Sequence, residues 1–169
     1  MVGASLVWGQ ALLLVPTSLN QALLAELAHA ATASSDSARR VFLLGWKTAM
    51  LSIVALLPLI ILAAPIILRL YGFQNASSTL AFRLVVAAFA IQGVTGAAIK
   101  VLESYGRIWI QLALNLVWAA VFIGLLLLWR ADGAVGFGYA ALAAFLVHGT
   151  LVHAFAFKLL APRAHDGHG

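Results

Sequence analysis

The sequence contains no cysteine, which excludes a disulfide framework, a thiolate metal centre and a cysteine nucleophile together. Charge is scarce as well: Asp, Glu, Lys and Arg make up 9% of the 169 residues, against roughly 25% in a soluble domain. The five acidic residues, Glu26, Asp36, Glu103, Asp132 and Asp166, all sit near the boundaries of apolar runs, in polar connections or in the C-terminal tail. With no carboxylate in the middle of such a run, nothing resembles a proton relay or an acid/base pair. Phosphate-cradling glycine loops and nucleophile elbows are missing too, so the expectation is a protein that is not an enzyme and needs no cofactor or metal. What the chain has in abundance is apolar surface, 64% hydrophobic residues with a mean hydropathy of +1.05. That composition excludes both a water-soluble globule and a disordered chain. The net charge of +5 comes from Lys and Arg scattered between apolar runs. They read as juxtamembrane anchors and not as a nucleic-acid surface, so the expected partner is the lipid bilayer.

A hydrocarbon core of about 30 Å takes about 20 helical residues. Five charge-free stretches approach or exceed that length: 1–25, 48–68, 84–99, 108–129 and 133–157. The third is short, so its helix is expected to begin near Leu80 and to carry Arg83 about one turn inside the boundary. The reading is an all-α polytopic bundle over 1–160 with spans at about 3–28, 45–70, 79–100, 107–130 and 134–158, followed by a polar cytoplasmic tail at 161–169. Residues 33–40 are expected to form a loop with a helix N-cap at Ser35, Asp36 or Ser37. Turns are expected at 71–78 and 131–136.

Basic residues set the orientation. Arg39, Arg40, Lys47, Lys100, Arg107, Lys158 and Arg163 fall on one side, and Arg69, Arg83 and Arg130 on the other. The seven-residue side is expected to be cytoplasmic, with the N-terminus outside and the C-terminus inside. A first helix entering from outside without a charged leader points to the later part of a longer membrane protein.

Polar side chains are costly in hydrocarbon, so they mark the faces that meet protein or water. In the first span Gln10, Thr17, Asn20 and Gln21 form one expected stripe beside Pro16, where the helix should kink. The stripe reads either as a pathway for a polar substrate or as glue between helices. Pro58 and Pro65 share a face of the second span with no polar companion in that run, which reads as a packing kink. Arg83, in line with Ala87, Ala90 and Ala97 and bordered by Gly93 and Gly96, would either bind a phosphate or snorkel to the outer headgroups. Gln111, Asn115 and Trp118 at i, i+4 and i+7 of the fourth span carry the same two readings as the first stripe. His148 and His153 are five apart, about 140° around the helix, and so are not placed to share a metal. His165, Asp166 and His168 read as solvated tail.

The order of these features resembles the polysaccharide and lipid-linked oligosaccharide flippases of the multidrug/oligosaccharidyl-lipid/polysaccharide exporter superfamily, specifically their C-terminal half. The resemblance rests on Pro16-Thr17-Ser18, the Arg39-Arg40 connection, the Ile67-Leu68-Arg69-Leu70-Tyr71-Gly72 exit and the small-residue stretch Gln92 to Gly96. It implies alternating access by two rocking bundles, with a lipid-linked glycan as partner and a missing N-terminal half, or self-association, supplying the second bundle. Under that reading the first-span stripe lines the cavity, joined by Arg83, Gln111 and Asn115 as pathway candidates. Arg39, Arg40, Lys100 and Arg107 attract the lipid's phosphates. Two alternatives stand beside it, a multidrug exporter of the same superfamily and a membrane scaffold that transports nothing.

Overall fold

A computed structural model describes residues 2–73 and 75–161. Helices account for nearly all of them: α1 Val2–Ala33, α2 Ser35–Leu70, α3 Ala76–Ser104, α4 Ile108–Leu128 and α5 Gly133–Leu159, with a single 3-10 turn at Arg130–Asp132. All five are long and apolar enough to cross a membrane, and no strand occurs among the described residues. The chain is a multi-pass, all-α membrane protein.

All helices but α4, which stops at Leu128 short of the expected 130, outrun the expected spans, because bilayer thickness limits the hydrophobic stretch and not the helix. At about 1.5 Å per residue the 36 residues of α2 reach ~54 Å, so its first turns project beyond the hydrocarbon. The loop expected over 33–40 therefore shrinks to Ser34. That residue, and not Ser35, Asp36 or Ser37, is the N-cap, its hydroxyl accepting from the Ser37 N–H at 3.1 Å. Asp36 in the first turn suits the positive end of the helix dipole, and Arg39 and Arg40 ride on helix instead of loop. Likewise α3 starts four residues before Leu80, capped by Asn75 Oδ1 accepting from the Ser78 N–H at 2.6 Å, which puts Arg83 two turns inside the helix. Helix α1 is continuous through Pro16. Between α4 and α5 the expected turn is the 3-10 segment, ending at Gly133 with φ +57°. Of the expected tail only Ala161 is described; Arg163, His165, Asp166 and His168 lie outside the described residues.

Helix α3 is the centre of the bundle, flanked by the α1–α2 pair on one side and by α5 on the other, while α4 packs chiefly on α5. Its buried face is built from small residues, including Ala88, Ala90, Gly93, Ala97 and Ala98, which let neighbouring backbones close in where lipid offers no hydrophobic drive. Pro16 and Asn20 of α1 rest on Gly93 and Gly96 of α3. On the other flank a Cβ at Gly138 would stand 2.8 Å from the Leu84 Cβ, and one at Gly149 would stand 2.9 Å from the Thr95 hydroxyl. Eleven residues apart and hence on one face, these two glycines seat α5 against α3. By contrast α4 buries only Leu114.

Candidate functional site

Because α4 leans on α5 and stands away from α3, a cavity of about 360 Å³ opens between the three helices. Helical spacing supplies its wall in short repeats: Gln92, Thr95 and Ile99 from α3, Asn115 and Trp118 from α4, Phe145 and His148 from α5. Aromatic contacts hold α4 at this distance, with Trp118 against Phe145 at 5.2 Å and Phe122 edge-on to Phe137 at 5.5 Å. Trp118 is the eleventh of the 21 residues of α4, so the cavity lies near the middle of the span.

The chemistry is uncharged and rich in hydrogen-bonding groups. His148 is 7% exposed, and its Nε2 has no partner in the protein, like the Trp118 indole N–H. Thr95 donates to the Ile91 carbonyl at 2.8 Å and retains its lone pairs for a further donor. The amides of Gln92 and Asn115 each bring a donor and an acceptor. Two aromatic faces and four polar side chains around one small volume suit a neutral, hydroxyl-rich group. The great majority of buried polar atoms in proteins have a hydrogen-bond partner, so two unpartnered buried nitrogens on residues that line one cavity stand out, although Trp8 Nε1 and Asn20 Oδ1 are unpartnered elsewhere in the bundle.

The sequence candidates divide among different environments. Asn115 lines the cavity, whereas Gln111, one turn away, donates to Glu103 Oε1 at 3.3 Å and ties α4 to α3. Glu103 also receives Lys100 at 2.7 Å, which withdraws Lys100 from the free cations. Arg39, Arg40 and Arg107 remain exposed, Arg40 within 3.4 Å of the Ser37 hydroxyl. The expected single stripe of α1 splits. Gln10, Thr17 and Gln21 are exposed on the outer face, while Asn20 is buried against Gly96 with its Oδ1 unpartnered. At about 100° per residue Asn20 falls roughly 60–100° from the other three, enough to turn it into the α1–α3 contact.

Arg83 has a structural partner that the sequence reading missed. Proline has no N–H, so Pro65 leaves the carbonyl four residues back, that of Ile61, without its helical donor. Arg83 Nε donates to that carbonyl at 3.2 Å. Pro65 thus has a polar companion after all, on the neighbouring helix, where a run-by-run reading of α2 could not find it. His148 and Gln92 were also missed as site residues. The available signal was their polarity in the middle of apolar runs, and it needed the packing of α4 to become a site.

No protein-family model, no curated protein and no solved structure matches the chain.

Proposed function

We propose that the chain is part of a membrane transporter that carries a neutral, hydroxyl-rich headgroup through the bilayer, with lipid-linked oligosaccharide or polysaccharide precursors as its substrate class. The observation that carries this reading is the mid-span cavity whose lining includes two residues with an unpartnered buried nitrogen, His148 Nε2 and Trp118 Nε1. A scaffold needs polar groups that bond between helices, as Gln111 and Glu103 do. A transporter needs some that are left for a passenger. The resemblance to the flippases supports the same substrate class, and the uncharged lining disfavours a cation exporter. We place the protein in the cell inner membrane, with the N-terminus outside and the C-terminus in the cytoplasm, from the distribution of Lys and Arg. A second bundle, from a further part of the protein or from a second copy, would complete the path.

The test is thermal stabilisation of the purified protein in detergent by a fluorescent lipid-linked oligosaccharide analogue. Ligand a hundredfold above its Kd stabilises by about 2.7 kcal/mol, and Asn115→Leu should remove most of that gain without lowering the unliganded midpoint. No stabilisation of the native chain, or equal stabilisation of both, favours the scaffold. Orientation is tested on single cysteines: Ser77→Cys should react with an impermeant reagent outside cells, and Ser35→Cys and Ser104→Cys should not.

A further inference from the structure

A groove of about 720 Å³, twice the volume of the polar cavity, opens between α2, α3 and α5. Its lining is almost wholly aliphatic and aromatic, and the few polar residues in it are already engaged. Thr150 donates to the Leu146 carbonyl at 2.8 Å and Thr95 to Ile91. His153 takes the Trp46 indole N–H on Nε2 at 3.1 Å, and its Nδ1 lies 2.7 Å from the Gly149 carbonyl. That pairing assigns the Nδ1–H tautomer and leaves neither nitrogen free. An occupant of this groove has to be apolar where it lies in it.

One end of the groove is cationic. Arg39 is seven residues before Trp46 and so continues the helix face that bears Trp46, Met50 and Leu57. Lys47 is seven residues before Val54, which lines the groove and is 61% exposed. Both basic residues are exposed, and neither has a hydrogen bond or ion pair among the described residues. Together with Arg40 they outnumber Asp36, the one acid of α2. From Trp46 to Leu57 the groove extends ~17 Å along α2, and from Leu142 to Phe157 ~22 Å along α5. Both fall short of the ~30 Å of hydrocarbon that a docked helix would cross. They suit a chain that enters from one leaflet and ends near the midplane, with its charged head at the Trp46 level where interfacial aromatics sit.

We propose that the α2–α5 groove holds an acyl chain of an anionic phospholipid whose headgroup phosphate is bound by Arg39 and Lys47. This site lies on the other flank of α5 from the polar cavity, with which it shares Thr95, and its occupant does not depend on what the cavity carries. Each basic residue near a membrane surface favours an anionic over a neutral lipid by about fivefold, so the pair gives a clear preference between headgroups on identical chains.

The test reconstitutes the protein in phosphatidylcholine vesicles doped with either phosphatidylglycerol or phosphatidylcholine carrying a diazirine on the acyl chain, and maps the adducts by peptide mass spectrometry. Phosphatidylglycerol should label the peptides containing Met50, Val54 and Leu146 several-fold more than phosphatidylcholine does. Arg39→Gln with Lys47→Gln should reduce its labelling to the phosphatidylcholine level. Arg39→Lys with Lys47→Arg should keep the preference, which separates lost charge from a damaged fold. Equal labelling by the two lipids, or labelling indifferent to the glutamine pair, overturns the proposal. So does labelling of the exposed α4 face as strong as that of the groove. A photoreactive amino acid at Val54 that crosslinks to a second copy of the chain would assign the groove to self-association instead.

Discussion

His148 and His153 sit five residues apart on α5 and face opposite flanks of the bundle. His153 borders the apolar groove with both ring nitrogens matched, one by Trp46 and one by the Gly149 carbonyl. His148 is buried in the polar cavity with Nε2 unmatched. One residue type in one helix thus occupies two environments, matched on one flank and unmatched on the other. On the groove side one hydrogen bond, from Trp46 to His153, links α2 to α5, and on the cavity side the lining residues His148 and Trp118 keep buried nitrogens unmatched. Location in the membrane alone does not mark a polar residue as functional; the proposed function rests instead on unmatched atoms of residues that line a cavity.

The harshest way to break this contrast is to remove the seam that both flanks share. Gly138→Leu pushes a side chain into Leu84 and the nearby Ala81 carbonyl, and should destabilise the bundle by about 2–3 kcal/mol, read as a lower unfolding midpoint. Cavity and groove should be lost together. A variant as stable as the native protein would show that α5 is not seated by its glycines.

A milder perturbation extends the contrast to Arg83, which the structure groups with His153 as a matched residue. Arg83→Met strands the Ile61 carbonyl and should cost about 1–2 kcal/mol. Pro65→Ala supplies the missing helical N–H, so in that background the same change should cost almost nothing. Equal costs in the two backgrounds would return Arg83 to the phosphate or snorkelling readings. Arg83→Lys sharpens this further, since a lipid anchor tolerates lysine. The smallest effect is expected of His153→Phe, which keeps the ring contact with Phe157 but strands the Trp46 N–H, a loss of about 1 kcal/mol. Ligand-dependent stabilisation should survive it.

Much of the fold was legible because hydrocarbon imposes a length and a composition. Five apolar runs between charges locate the five helices, and the small residues of the third run mark α3 as the helix with close neighbours. Helix ends were less legible. Ser34 to Ser37 is as good a first helical turn as it is a loop, and only the cap at Ser34 decides between them. The site was legible in part: Asn115 and Trp118 share a stripe that does face a cavity, whereas Gln111 on the same stripe is spent on Glu103. The Arg83–Ile61 bond was out of reach, since it joins a proline's missing donor to a residue 22 positions away from the freed carbonyl. Asn20 separated from Gln10, Thr17 and Gln21 because which edge of a polar stripe turns inward depends on the neighbour, here Gly96.

The central claim is that the cavity between α3, α4 and α5 receives the polar ligand, and the two histidines test it side by side. Stabilisation by the lipid-linked oligosaccharide analogue is measured for His148→Phe and for His153→Phe against the native protein. His148→Phe removes the unmatched nitrogen and narrows the cavity, so the ligand-induced shift should be lost while the unliganded protein stays folded, whereas His153→Phe should lower the unliganded midpoint slightly and keep the shift. A full shift in His148→Phe, or its loss in His153→Phe alone, would contradict the account.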